Sequence, residues 1–338
     1  MKARTLADIA RLAGVSRTTA SYVVNGQAEA RRISPTTVDK VKTVIAAHDF
    51  KIDARAAALR RGATQTLGLV VPDLANTSYA RLAKQIERGA RPAGYQVIIV
   101  DSDDDPATER ALVDHLRTRR CDGLIVASCL ARDDRLYDGL IADGLPVIGL
   151  DRPLDERRFR SVASSNRTAA RALTTAVLSS QTRSIVWLDA VAGLSITERR
   201  RQGFAEALAA HTGDCRTYRY TADAYERDAG ARLIRSHLDH YGMPDALITA
   251  AYPLLDGALD SLLAPTTSRQ SLPRIGTFGE DRVLDFLPTT VFSLPQQHER
   301  IAALALERLW AAMAGESMPG RDRVARRLTR RSAATTVE

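Results

Sequence analysis

Polar side chains that could contact DNA bases and phosphates cluster in a short segment near the amino terminus. They are Ser16, Arg17, Thr18, Thr19, Ser21, Tyr22 and Asn25. A guanidinium fork can pair with a guanine edge, while hydroxyl and amide groups suit phosphate oxygens. The apolar residues Ala20, Val23 and Val24 recur among them at helical spacing. This pattern predicts a helix that buries one side and presents its polar side to a partner.

A second helix and a turn precede this segment. Four apolar residues recur there at helical spacing, at Leu6, Ile9, Ala10 and Ala13. Gly14 can adopt the positive φ that a sharp turn requires, and Ser16 is placed to cap the helix that follows. The two helices predict a helix-turn-helix, whose second helix would enter the major groove. The alternative is an ordinary helical hairpin with a solvated polar face.

The charge distribution favours the DNA-binding interpretation. Residues 1–63 hold 12 Lys and Arg against 5 Asp and Glu, whereas the rest of the 338 residues hold 36 against 35. Nearly all of the net charge of +8 therefore lies on the helix-turn-helix segment, where it would attract a phosphate backbone. A helix over 34–48, capped by Ser34 with Pro35 in its first turn, completes a three-helix domain over 1–52.

An alanine-rich helical stretch over 53–61 follows this domain and ends at Gly62. Its apolar face is thin, and isolated helices of this length are marginal in water. We therefore interpret residues 53–65 as a hinge helix and linker that become ordered only against a partner.

From Thr66 onward, short apolar runs alternate with amphipathic segments. We predict helices between strands at 67–72, 96–100, 123–127, 146–150, 184–188, 218–220, 246–249, 274–278 and 290–293. This alternation is typical of doubly wound parallel sheets, here in two α/β lobes of similar size. Residues 66–338 are expected to form a body with a ligand cleft at the carboxyl ends of its strands.

The order of these parts resembles the lactose-repressor family of bacterial transcription regulators. Four segments are similar to the fructose-repressor, or catabolite repressor–activator, subgroup of that family: residues 10–26, 68–79, 150–155 and 277–281. The resemblance implies an all-α headpiece and hinge helix joined to a periplasmic-binding-protein-like body. It also implies a homodimer or higher homo-oligomer that binds operator DNA and is controlled by a small effector.

The resemblance implies a role for individual headpiece and hinge residues. Base reading would fall to Arg17, Thr18 and Tyr22, while the short polar residues would contact phosphates at Ser16, Thr19, Ser21 and Asn25. The hinge leucine corresponds to Leu59, with Ala56 on the same side one turn earlier, and in the family this leucine wedges a base step open in the minor groove. The Pro-Asn pair usual before the hinge is replaced by Ile52 and Asp53.

In the body, the expected ligand is a small anionic sugar. Four residues follow the first strand and open its helix, where hydroxyl and free N–H groups suit a phosphate: Asp73, Asn76, Thr77 and Ser78. Asp151 and Arg152 follow the fourth strand and could hold sugar hydroxyls. Arg200 and Gln296 match ligand positions of the family.

Two departures from the wider family bear on the ligand. The family's Asn-Asp pair in the second lobe is replaced by Ala251 and Tyr252, and its later Asp is replaced by Gly279, followed by Glu280. Because a neutral-sugar site usually relies on the replaced side chains, these changes argue against ribose- or galactose-like ligands. The subgroup resemblance implies a phosphorylated fructose, chiefly fructose 1-phosphate.

Other signals are weak, and we expect no cofactor, metal or catalytic site. His237 and His240 lack a third ligand at useful spacing, and the acidic run over 101–105 is interpreted as a solvated loop rather than a cation site. The three cysteines are expected to be reduced thiols in a cytoplasmic protein without membrane spans.

The alternatives are a family member with a different ligand, a transport-type sugar-binding protein and a sugar-phosphate enzyme. A transport protein would lack the helix-turn-helix, and no catalytic constellation supports an enzyme.

Overall fold

The computed structural model describes residues 5–48, 63–264 and 271–332. The chain divides into two compact units, residues 1–65 and residues 66–338, which are considered separately. The hinge residues Ala56 and Leu59 lie outside the described residues, so the expectations for them stay predictions.

The first unit contains the predicted helix-turn-helix and the third helix. Its helices are α1 (Leu6–Leu12), α2 (Arg17–Val24) and α3 (Pro35–His48). They pack around a small core of Ile9, Val23 and Val41. Gly14 has a φ of +65° in the turn between α1 and α2, as a glycine permits.

Side chains cap the start of each headpiece helix. The Thr5 hydroxyl accepts from the backbone N–H of Asp8, whose carboxylate accepts in return from the N–H of Thr5. The Ser16 hydroxyl accepts from the N–H of Thr19 at 3.0 Å, and that of Ser34 accepts from the N–H of Thr37 at 3.3 Å. These bonds satisfy backbone donors that a helix leaves unpaired at its start.

The second unit consists of two lobes, each built on one twisted sheet. The first lobe contains β1 (Thr66–Val71), α4 (Thr77–Ala90), β2 (Gln96–Asp101), α5 (Pro106–Thr118), β3 (Gly123–Val126), α6 (Leu136–Ala142), β4 (Val147–Leu150) and β5 (Arg160–Ser164). The second lobe contains α7 (Asn166–Val177), β6 (Ser184–Ala190), α8 (Ser195–Ala209), β7 (Arg216–Ala222), α9 (Arg227–Tyr241), β8 (Ala246–Thr249), α10 (Tyr252–Leu262), β9 (Arg274–Phe278) and β10 (Val291–Leu294).

The chain then returns to both lobes. The last described elements are α11 (His298–Met313), which packs on the first lobe, β11 (Gly320–Val324), which pairs with β5, and β12 (Thr329–Arg331), which pairs with β10. Three short segments therefore cross between the lobes, at 164–166, 294–298 and 324–329.

Both sheets have the same strand order. The first sheet runs β11-β5-β4-β3-β1-β2 with all pairs parallel, and the second runs β12-β10-β9-β8-β6-β7 with only β12 antiparallel among its described pairs. The order reverses beside β1 in one lobe and beside β6 in the other. In such sheets the loops at the reversal point leave a crevice at the carboxyl ends of the strands, where ligands bind.

Apolar clusters cover both faces of each sheet, which explains the near-continuous apolar runs in the strands. Three strands were not predicted from the sequence: β5, β11 and β12. These are edge or near-edge strands that carry polar and charged residues, so they lack the apolar run that revealed the others. In the described part of the chain, no helix has the length and apolar character needed to cross a bilayer.

Candidate functional site

The helix-turn-helix presents an uneven polar face. Ser16, Arg17, Thr18 and Asn25 are exposed, whereas Thr19, Ser21 and Tyr22 are half-buried. Arg17 has no hydrogen-bond or ion-pair partner among the described residues, so its guanidinium is available to a ligand. The aromatic ring of Tyr22 lies against the guanidinium of Arg31, 4.9 Å from the ring centre, a contact that the sequence did not predict.

Two of the predicted phosphate-contacting residues also shape the helix itself. Ser16 caps the start of α2, as described above. Asn25 donates from Nδ2 to the backbone oxygen of Ser21 at 2.7 Å and so closes the last turn. Their side chains therefore hold the ends of α2 in place whether or not they also contact DNA.

A cleft of about 530 Å³ lies between the two lobes of the body. It is lined by all of the residues predicted to bind an effector: Asp73, Asn76, Thr77, Ser78, Asp151, Arg152, Arg200 and Gln296. The structure thus brings together residues that are more than 200 positions apart in the sequence.

The start of α4 forms one wall of the cleft. Asn76 caps this helix, and its Oδ1 accepts from the N–H of Ser78 at 3.1 Å. The Asp73 carboxylate accepts from the N–H of Ala75 at 2.7 Å. Some backbone donors near the start of α4 are therefore already satisfied within the protein, which lowers the capacity of this helix end to bind a phosphate alone.

A chain of hydrogen bonds crosses the cleft floor from α4 to the second crossover. Ser78 Oγ donates to Gln296 Oε1 at 2.5 Å, and Gln296 Nε2 donates to Asp151 Oδ1 at 2.6 Å. The Tyr79 hydroxyl donates to the other oxygen of Asp151 at 3.2 Å. Asp151 adopts a φ of +58°, a strained conformation for a non-glycine residue that is typical of binding sites.

Arg152 forms an ion pair within the cleft wall. Its guanidinium contacts the carboxylate of Asp104 through two nitrogens, with Nη2 donating to Oδ2 at 2.8 Å. Within the acidic run over 101–105, which was predicted to be a solvated loop, Asp104 is half-exposed, lines the cleft and holds a buried arginine. With its charge balanced in this way, Arg152 is a weaker attractant for an anion than an unpaired arginine.

Besides the exposed Arg81, two arginines line the cleft without such balance. Arg200 Nε donates to Asn166 Oδ1 at 2.9 Å and Nη1 to the backbone oxygen of Ala250 at 2.5 Å. Arg326 donates from Nη1 to the backbone oxygen of Leu294 at 2.9 Å, while its buried Nε has no partner in the described structure. Neither guanidinium forms an ion pair with a carboxylate of a described residue.

Both guanidiniums lie near one aromatic ring. Their central carbons are 4.3 Å and 5.4 Å from the centre of the Phe278 ring, for Arg200 and Arg326 respectively. Burial, and after it the charge of Arg200, lowers the pKa of Arg326 to about 9. Two like charges held together out of bulk water form an electrostatic site for a multiply charged anion.

The match to known families follows the same division of the chain. Residues 5–52 match the family described as "Bacterial regulatory proteins, lacI family". Residues 64–292 match the family described as "Periplasmic binding proteins and sugar binding domain of LacI family". The chain belongs to the LacI family. It is therefore a DNA-binding transcription regulator and not an enzyme.

Curated relatives narrow this assignment. The LacI-family chain is 43% identical over 324 residues to the fructose operon regulatory protein of Vibrio cholerae, a match that covers 96% of this chain and 98% of that protein. It is 40% identical over 329 residues to the catabolite repressor/activator of Escherichia coli strain K12, with coverage of 96% and 98%. These relatives confirm the resemblance to the fructose-repressor subgroup.

Solved structures share its fold. The Cra transcriptional dual regulator from Pseudomonas putida, in complex with fructose 1-phosphate, is 46% identical and has a TM-score of 0.75, with 80% of this chain and 99% of that chain covered. The lac repressor dimer bound to operator has a TM-score of 0.82 over 98% and 99% of the two chains. At 20% identity, the lac repressor shows the fold alone.

Among the residues of this LacI-family regulator's cleft that were not predicted from the sequence are Arg326 and His298. Arg326 lies on the third crossover, in an arginine-rich segment that gives no local signal of a cleft. His298 Nε2 lies 3.0 Å from Ser78 Oγ, and burial, followed by the charges of Arg81 and Arg326, lowers its pKa to about 4. His298 is therefore neutral near pH 7.

The two departures from the wider family have structural consequences. Gly279 has a φ of +107°, and a Cβ there would lie 2.8 Å from the Cβ of Tyr252, so an aspartate would be strained and crowded. The Glu280 carboxylate is held by an ion pair with Arg331. Neither Gly279 nor Glu280 therefore offers a free carboxylate to sugar hydroxyls.

Metal chemistry has no support in the described residues, among which no group of three His, Cys, Asp or Glu could hold an ion. The three cysteines are free thiols. Burial raises the pKa of Cys121 to about 11, so this thiol stays protonated near neutral pH.

Proposed function

We propose that this regulator binds a near-palindromic operator as a homodimer and releases it when a phosphorylated sugar, chiefly fructose 1-phosphate, occupies the cleft. The observation that carries the ligand assignment is the pair of guanidiniums of Arg200 and Arg326, which lack carboxylate partners in the described structure. A phosphate dianion supplies the missing negative charge. The complex of the Pseudomonas putida relative with fructose 1-phosphate supports the same ligand class.

The rest of the cleft fits the sugar portion of such a ligand. Asp151 and Gln296 present a carboxylate and an amide that can exchange their mutual hydrogen bond for bonds to sugar hydroxyls. The Ser78 hydroxyl and the start of α4 add further donors and acceptors from Asn76 and Thr77. Asp73 and the buried Arg152 would complete the first-lobe wall of the site. We place the phosphate at the arginines and the hydroxyls at the Asp151 side.

For DNA, we propose that α2 lies in the major groove with Arg17, Thr18 and Tyr22 reading bases. Ser16, Thr19, Ser21 and Asn25 would contact the backbone. Half-sites would lie about one helical turn, roughly 34–36 Å, apart. In this scheme residues 1–52 read the operator, the hinge over 53–65 inserts Leu59, supported by Ala56, into the minor groove, and residues 66–338 bind effector and dimerise. The protein would work in the cytoplasm.

Competition between the two ligands tests this function. Operator affinity is measured by fluorescence anisotropy with a duplex selected from random sequences, with and without fructose 1-phosphate, and effector affinity is measured by calorimetry with and without that duplex. Because coupling is reciprocal, each ligand should weaken the other by the same factor. Free fructose serves as the control and should have little effect. Tight operator binding that fructose 1-phosphate leaves unchanged would contradict the proposal.

A further inference from the structure

The body contains a second, smaller pocket. It measures about 240 Å³, and its walls come from both lobes. The first lobe contributes β5 and β11, and the second contributes the first turns of α7 and α8. Four arginines line it: Arg167, Arg199, Arg321 and Arg323. None of them lines the effector cleft described above.

The positive charge of this pocket is only partly balanced. Arg321 forms an ion pair with Glu156, and Arg167 forms one with Glu206. Arg199 and Arg323, by contrast, have no carboxylate within ion-pair distance among the described residues. The pocket therefore holds two uncompensated guanidiniums close to two compensated ones.

Arg321 is the buried member of this group. Its side chain is only 7% exposed, and its buried Nε has no hydrogen-bond partner in the described structure. Burial lowers the pKa of Arg321, and the charges of Arg199 and Arg323 lower it further, although Glu156 opposes them. A buried donor without a partner is costly in a protein, and a bound anion would satisfy it.

Two helices begin at the same pocket. Ser165 and Leu194 precede α7 and α8, and neither side chain caps its helix. Both helix starts therefore keep backbone donors and a partial positive charge available to an anion. These donors add to the arginines, on the side of the pocket that belongs to the second lobe.

We propose that this pocket is a second anion site, which takes a small phosphate-bearing molecule independently of the effector cleft. An anion held there would bridge β11 of the first lobe to α7 and α8 of the second, and so would favour one relative orientation of the lobes. It would also act on the effector cleft, because Asn166 lines the pocket and accepts from Arg200 Nε at 2.9 Å. Occupation of the pocket would thus change effector affinity.

Inorganic pyrophosphate is the probe for this site. It is titrated by calorimetry into the full chain carrying R200Q and R326Q, which remove the two guanidinium charges beside Phe278 in the effector cleft. The same titration is repeated after adding R199Q and R323Q. The matched control adds R219Q and R235Q instead, which remove two exposed arginines that line neither pocket.

Pyrophosphate should bind the R200Q and R326Q protein. Adding R199Q and R323Q should weaken this binding about tenfold or more, because each removes a charge-assisted hydrogen bond. The control pair should change it by no more than about twofold, as expected for exposed charges.

Three results would overturn the proposal. The first is that pyrophosphate does not bind the R200Q and R326Q protein, which would place the anion in the effector cleft alone. The second is that R199Q and R323Q lower the pyrophosphate affinity no more than the control pair does. The third is that neither pair lowers it. If the R199Q and R323Q protein does not show a cooperative unfolding transition, R323Q alone provides the comparison, because Arg323 is exposed. R323Q should then lower the pyrophosphate affinity about threefold or more, and by a larger factor than R219Q alone.

Discussion

At the scale of single residues, Arg326 should determine which ligands the cleft accepts. R326Q removes its charge but keeps an amide that can donate to the Leu294 oxygen. Loss of one charge-assisted hydrogen bond costs about 1.5–3 kcal/mol, so affinity for fructose 1-phosphate should fall about 10- to 100-fold. R327Q, at the exposed neighbouring arginine, is the control and should bind like the unmodified protein. Calorimetry measures both, and an equal affinity for R326Q would remove Arg326 from the phosphate site.

His298 should make the stability of the body depend on pH. Its pKa is about 4 in the folded protein, against an ordinary value of 6.5, because the charged form is buried near Arg81 and Arg326. As the pH falls below 6.5, the unfolded chain takes up a proton that the folded protein does not, so the free energy of unfolding decreases until about pH 4.

H298Q tests this dependence. Glutamine cannot titrate, but it can still bond to Ser78. Between pH 7 and pH 5 the melting temperature of the unmodified protein should fall more than that of H298Q, measured by circular dichroism in buffers of equal ionic strength. His237, whose burial also lowers its pKa, remains in both proteins and so cancels in the comparison. Parallel pH profiles would show that His298 titrates normally.

At the scale of elements, the contact between α7 and α8 holds Arg200 in position. A Cβ on Gly203 would lie 2.1 Å from the backbone oxygen of Arg167, so these helices are in direct backbone contact. G203A should therefore destabilise the body by about 1–3 kcal/mol, the usual cost of overpacking. G139A, in α6 with open space around it, should instead be neutral or stabilising by up to about 1 kcal/mol. Urea unfolding should show a lower free energy of unfolding for G203A only, and equal stability of the two variants would contradict the close packing.

The hinge is the element whose role depends on the family resemblance. If Leu59 opens a base step, L59A should reduce DNA bending and weaken specific binding, while non-specific binding survives on charge. The bend is read from the mobility of circularly permuted DNA fragments, and the specificity from competition between operator and random duplex. L263A, at an exposed leucine, is the control, because L254A, in the buried core of the second lobe, would destabilise the body. An unchanged bend in L59A would assign Leu59 to packing instead.

At the scale of the whole molecule, the charge asymmetry predicts how DNA binding responds to salt. The net charge of residues 1–63 is +7 and that of the rest is +1. A dimer making about 6–10 phosphate contacts should lose about 10³- to 10⁵-fold in affinity between 50 and 200 mM salt. Anisotropy titrations at several salt concentrations give the slope. A slope near zero would mean that the basic headpiece does not contact the backbone.

The sequence alone determined the local parts of this protein. The caps at Ser16 and Ser34 and the turn at Gly14 depend on contacts a few residues apart, and spacing reveals such contacts directly. The apolar runs of the central strands are also visible in the sequence, because both faces of these strands are buried. Arg200 and Asp151 were identifiable because each lies in a short motif that the family shares.

Only the tertiary structure decided which side chains meet across the two lobes. Arg326 reaches the ring of Phe278 only because the chain crosses between the lobes a third time, and the polar edge strands on either side of this crossover carry no apolar pattern. In the same way, the loop residue Asp104 is an ion-pair partner because folding brings Arg152 to it from 48 positions away. Charge balance in the cleft is a property of such distant pairs, so the sequence showed which arginines exist and the fold decided which of them remain unpaired.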